Sequence, residues 1–229
     1  MTEEPPGGMK TLSIACLFIL AFSAFGSPAQ TSTSESTNNL SFIDAVQKGD
    51  QDVIQGILAQ GADVDSSDDK GRTALMWAAR GGHPEVAKLL LSKGANISAR
   101  SEGGWTALMA AAHSGQVETM RILMEKGAKV NDQSLDGTTV LMWAVISGKH
   151  ENVKILLEKG ADINMSDVNG VTPLMGAVFD GKTEIAKTLI KKGANVNLKT
   201  KTGQTALMLA KLHGRSDLHD LLLKAGAKE

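Results

Sequence analysis

Tyrosine is absent from the 229 residues, cysteine occurs once, and aromatic side chains make up 3% of the chain, as three tryptophans and five phenylalanines. Three of those phenylalanines (Phe18, Phe22 and Phe25) fall in the first 25 residues, which leaves Phe42, Phe179, Trp77, Trp105 and Trp143 for everything after them. A core with so few rings must be filled by alanine, leucine and glycine, which points to closely packed small-residue helices. Cys16 has no second cysteine to pair with, and no H-E-x-x-H or cysteine-histidine cluster is present to hold a metal. No serine or carboxylate set suggests a nucleophile or an acid-base pair, so neither catalysis nor a cofactor is expected. The net charge of -1 lacks the clustered positive field that recruits nucleic acid or anionic membrane.

Charge is also missing from Leu12 to Phe25, an apolar run that follows Lys10 and is followed by Ser27-Pro28-Ala29. That order is expected of a secretory leader over residues 1–29, cleaved after Ala29 or, as second choice, after Gly26. A membrane anchor is the competing reading, but the run has about 14 residues where roughly 20 are needed to span a bilayer. Lipidation of Cys16 is another, with only about four apolar residues ahead of the thiol. Cleavage would remove Lys10, Glu3 and Glu4 and leave equal numbers of acidic and basic residues, with no cysteine and no membrane attachment. Residues 30–38 read as a disordered polar linker, and a periplasmic or secreted location follows.

Residues 176–183, GAVFDGKT, fit the phosphate-loop pattern G-x-x-x-x-G-K-[ST]. A stronger pattern runs through the same residues. Gly61-Ala62 recurs as Gly94-Ala95, Gly127-Ala128, Gly160-Ala161, Gly193-Ala194 and Gly226-Ala227, at intervals of 33. Threonine keeps step at 73, 106, 139, 172 and 205, leucine two residues after each, and a turn glycine at 49, 82, 115, 148, 181 and 214. Internal repetition of this kind is the first thing to interpret in a sequence.

Within one unit, Thr73 can cap a helix that runs to Arg80, Gly81-Gly82 supplies a turn, and Pro84 to Ser92 resumes with Val86, Ala87, Leu89, Leu90 and Leu91 at helical spacing. A short polar segment containing glycine then leads to the next unit. Two short helices cannot bury their shared apolar face alone, so neighbouring units must stack. The segments DKGRTALMWAARGGHPEVAKLLLSKGANI (69–97) and GVTPLMGAVFDGKTEIAKTLIKKGANVN (170–197) resemble the ankyrin-repeat unit. The resemblance covers residues 39–229 and implies an all-α solenoid of six helix-turn-helix units with hairpin-like loops. The first unit lacks its hairpin and the last ends at its second helix, as terminal caps would. The family's usual histidine after the leucine is replaced by Met76, Met109, Met142, Met175 and Met208, a ladder expected to fill the core, and the loss of that histidine puts hairpin rigidity in question.

In this frame Gly176–Phe179 lie inside a helix, Gly181 is the turn glycine, and Lys182 takes a variable surface position, which argues against nucleotide binding. The family's contact surface, formed by hairpin tips and the exposed ends of inner helices, maps onto Arg72, Arg80, Trp105, His113, Leu135, Thr138, Ile146, Val171, Phe179, Gln204 and Leu212. Asp69, Glu102, Val168 and Lys201 share the tips. Trp105, Ile146, Phe179 and Leu212 are large and apolar where polar residues would suffice, the composition of an interface anchor, unless they fold onto a neighbouring unit. Trp77 and Trp143 are expected in the core, and Lys191, Lys192, Lys199 and Lys201 form a solvated basic run or a landing place for an acidic partner. The expectation is an exported, monomeric, non-enzymatic module that binds another protein; the alternatives are a structural envelope protein without one tight partner, or a nucleotide-binding protein.

Overall fold

The computed structural model describes residues 34–228, with side chains from Ser41 onward. The description concerns the compact unit Thr31–Glu229. The expected leader, its cleavage sites and Cys16 lie outside the described residues.

Twelve helices, arranged as six antiparallel pairs, make up the described residues, and no strands are present among them. The inner helices are α1 (Ser34–Lys48), α3 (Ala74–Gly81), α5 (Ala107–Ser114), α7 (Val140–Ser147), α9 (Pro173–Phe179) and α11 (Ala206–Leu212). Their outer partners are α2 (Gln51–Ala59), α4 (Pro84–Ser92), α6 (Val117–Glu125), α8 (His150–Glu158), α10 (Thr183–Lys191) and α12 (Ser216–Lys224). Helix α1 begins at Ser34, inside the stretch 30–38 read as a linker, and buries Phe42, Ile43, Ala45 and Val46 against the rest of the stack.

The threonine series is a series of helix caps. Thr73, Thr106, Thr139, Thr172 and Thr205 each accept the N–H three residues on, at 3.1–3.4 Å, with extended backbone at the cap. Each of α4, α6, α8, α10 and α12 carries an acidic residue in its first turn, where the helix dipole favours negative charge. Between helices, Gly82, Gly115 and Gly148 close α3, α5 and α7 in the left-handed region, with φ of 70°, 74° and 72°.

Hairpins connect the units. Asp68, Ser101, Ser134, Asp167 and Thr200 each donate their N–H to the carbonyl four residues on, at 2.9–3.1 Å. Each tip is also bonded to the one before it: the N–H groups of Glu102, Leu135, Val168 and Lys201 donate to the carbonyls of Lys70, Gly103, Asp136 and Asn169 at 2.8–3.1 Å. Side chains add to this, since Asp167 accepts the N–H groups of Asn169 and Val171, and Ser134 donates to Asp136. The missing family histidine therefore leaves hairpins that are pinned by other bonds.

The core follows the repeat. Leu75, Leu108, Leu141, Leu174 and Leu207 are all buried, as are Met76, Met109, Met142 and Met175. Met208 breaks the ladder at 44% exposure, because no unit stacks beyond it among the described residues. Leu212 and Leu223 are exposed beside it. The sixth unit thus keeps the apolar residues of an internal unit and does not have the polar outer face expected of a cap.

Candidate functional site

The hairpin tips and the C-terminal ends of the inner helices form one row of side chains, and the structure sorts the expected contact residues into three groups. The first is arranged around Trp77. Asp68 accepts from Arg72 Nε and from Trp77 Nε1 at 3.1 Å, and the guanidinium carbons of Arg72 and Arg80 lie 4.6 and 5.7 Å from the Trp77 ring centre. Burial and then the like charge of Arg72 pull the Arg80 guanidinium below its usual pKa. Trp77 is half-buried between these two cations, so it belongs to the surface row as much as to the core.

The second group corrects an expectation. Trp105, Thr138 and Val171 are buried, at 7%, 0% and 6% exposure, and do not form a contact surface. All three precede a capping threonine, on the return arm of the hairpin. The Trp105 ring centre lies 4.2 Å from that of Trp143 in the following unit, so this position packs forward onto the next inner helix. His113 completes the cluster, edge-on to Trp105 at 5.7 Å and to Trp143 at 5.2 Å. Burial, with the nearby charge of Arg80, lowers its pKa to about 4, so the ring is neutral at pH 7.

The third group remains accessible. Leu135 and Val168, on consecutive tips, are 75% and 47% exposed, and Leu212 is 59% exposed. Ile146, Phe179 and Gln204 are half-buried, with Phe179 in an edge contact to His213 at 4.5 Å. At the tip register the residues run Asp69, Glu102, Leu135, Val168, Lys201, so acidic, apolar and basic character succeed one another along the stack.

Lys182 requires a second correction. It is no free surface residue: its Nζ donates to the Ile146 carbonyl at 2.9 Å and pairs with Asp180. His83, Gln116 and Arg215, at the same register, donate to the carbonyls of Gln47, Arg80 and Phe179 at 2.9–3.3 Å. Each one reaches back to the unit before and satisfies a carbonyl at the end of its inner helix, which no intrahelical N–H can do. Side chains at this register also lie over the preceding turn glycines. A Cβ on Gly49, Gly115 or Gly181 would come within 2.7–2.8 Å of His83, Lys149 or Arg215, and one on Gly82 would collide with Gln116. Sequence reading missed this device because the residues differ in type; the common signal was a donor side chain immediately after the turn glycine.

The phosphate-loop look-alike is accounted for by the same geometry. Gly176–Phe179 are helical, the Gly176 N–H is donated to the Thr172 carbonyl at 3.1 Å, and no strand leads into the segment. A phosphate loop needs those N–H groups turned toward the ligand. Among the described residues no group of three or more His, Cys, Asp or Glu is placed to hold a metal ion, and no helix is long and apolar enough to cross a membrane.

A family model described as ankyrin repeats (3 copies) matches residues 42–134, 103–167 and 141–229. None of the curated proteins matches the chain. Ankyrin repeats generally serve as protein–protein interaction modules and are typically without enzymatic activity. The three matched spans run together from Phe42 to residue 229 and coincide with the stacked helix pairs, and the chain belongs to the ankyrin-repeat family.

Proposed function

We propose that the protein is an exported, non-enzymatic module that holds another protein on the row of tips and inner-helix ends of its fourth to sixth units. The observation that carries this reading is the exposure of Leu135 and Val168 on adjacent tips, at 75% and 47%. Their backbones are fixed by the tip-to-tip hydrogen bonds, so a partner meets apolar side chains that are already in place. Such preorganisation lowers the entropic cost of association, and large apolar side chains near charged ones are the usual anchors of an interface. Ile146, Phe179 and Leu212 extend the apolar area along the ends of α7, α9 and α11, while Glu102 and Lys201 bracket it with opposite charge.

Leu135→Asp combined with Val168→Asp tests the site. Both side chains are exposed, so helicity and melting temperature should match the parent while partner capture falls at least tenfold; unchanged capture contradicts the site. Export rests on the apolar run Leu12 to Phe25 and the small residues after it. N-terminal sequencing of the protein recovered from cells and medium should give Gln30 as first residue, and a chain that retains Met1 or Met9 contradicts export by a cleaved leader.

A further inference from the structure

We propose that the protein associates head to tail, the sixth unit of one copy receiving the first unit of another. The two ends carry the two halves of the contact that joins neighbouring units throughout the stack. Met76, Met109, Met142 and Met175 are at most 4% exposed, whereas Met208 at the same register is 44% exposed, so this register faces the following unit. Val86, Thr119, Asn152, Ile185 and Leu218 are at most 3% exposed, whereas Val53 at the same register of the first unit is 46% exposed. That register faces the preceding unit, as the hydrogen bond from Asn152 Nδ2 back to the Ala112 carbonyl at 3.4 Å shows. Among the described residues Met208 and Val53 are therefore complementary positions left uncovered at opposite ends, with Leu223 widening the apolar area at the tail.

Charge selects the same partner. Residues 41–66 carry Asp44, Asp50, Asp52, Asp63 and Asp65 against Lys48 alone. Residues 199–229 carry Lys199, Lys201, Lys211, Arg215, Lys224 and Lys228 against Asp217, Asp220 and Glu229. The head thus has four more negative than positive charges and the tail three more positive than negative, which attracts head to tail and repels head from head and tail from tail. A contact between unlike surfaces leaves one head and one tail free after each addition, so it extends as an open chain and does not close as a dimer. Ionic strength weakens it by screening the long-range attraction.

Sedimentation velocity of the full chain tests this. The mean mass should rise with concentration past that of a dimer and fall when salt is added. A tail variant, Met208→Glu, and a head variant, Val53→Lys, should each sediment as a single copy. An equimolar mixture of the two should form one-to-one dimers and nothing larger, because it retains one intact head and one intact tail. Leu223→Glu is a second, independent tail lesion with the same expected result, and circular dichroism checks that helicity is kept. Sedimentation of the parent as a single copy at every concentration overturns the proposal. So does association that survives the tail or head substitutions, as it would if the leader or the tip row were responsible, and so does a mixture that fails to pair.

Discussion

Gly176 and Gly82 are both repeat-unit glycines, yet the structure gives them opposite roles. Gly176 lies within α9 with ordinary helical backbone, and the nearest atom to an added Cβ is Val145 Cγ1 at 3.9 Å, an ordinary contact. Gly176→Ala should therefore raise stability by about 0.5–1 kcal/mol, since alanine loses less chain entropy in a helix. A phosphate loop would not tolerate that change, so a rise in melting temperature also separates the two readings of GAVFDGKT. Gly82 has φ of 70° and sits under Gln116. Gly82→Ala should lower stability by about 1–2 kcal/mol from backbone strain, with a further loss as Gln116 is displaced from the Arg80 carbonyl. His113 supplies a pH-dependent prediction. Its pKa is about 4 in the folded protein against an ordinary 6.5, so folding favours the neutral ring. Stability from this residue is complete above pH 6.5 and is lost as pH falls toward 4. Linkage bounds the effect at about 3 kcal/mol, and the half-buried ring makes it smaller through solvent screening. Thermal melts of the parent should drop more steeply between those pH values than melts of His113→Gln; parallel curves would contradict the assignment.

Helices and hairpins are coupled by bonds that also repeat at the 33-residue interval, with one gap. Asp65, Asn131, Asn164 and Asn197 use Oδ1 to accept the N–H 31 residues on, at 2.8–2.9 Å, and so tie each loop to the next. Serine occupies this register at position 98, and its shorter side chain makes no such bond. Nearby, Arg100 bridges the same junction through Asp132 at 2.8 Å and the Gln133 carbonyl at 2.7 Å. Ser98→Asn should complete the series and raise the midpoint of urea unfolding, by a stability gain of about 0.5–1.5 kcal/mol. Much of this level was legible beforehand: threonine at each helix start and glycine at each turn have a local physical cause that depends on no other unit. Contacts between units were not. Whether Trp105 points to solvent depends on the ring that the next unit offers at residue 143, and Lys182 acts on a carbonyl 36 residues away. The tips are exposed because a tip side chain has nothing to pack against; the return-arm residues beside them are buried for the converse reason.

Along the stack, stability is approximately a sum of units and junctions, and binding is a property of the row that crosses several junctions. Trp143 is fully buried and touches both Trp105 and His113 in the unit before it, so Trp143→Ala should cost about 3–5 kcal/mol and weaken the junction between the third and fourth units most. Hydrogen exchange should show α5 and α7 losing protection first. The row itself needs these junctions intact, since Leu135 and Val168 are aligned only while their units remain in register. The most direct measurement of its role is photo-crosslinking from single positions in the full chain, with the reactive side chain placed at Leu135, at Val168 and, as comparison, at Lys154 on the outer helix α8. The account predicts the same discrete crosslinked protein from both tip positions and none from Lys154. Equal capture from Lys154, or none from either tip, would contradict it.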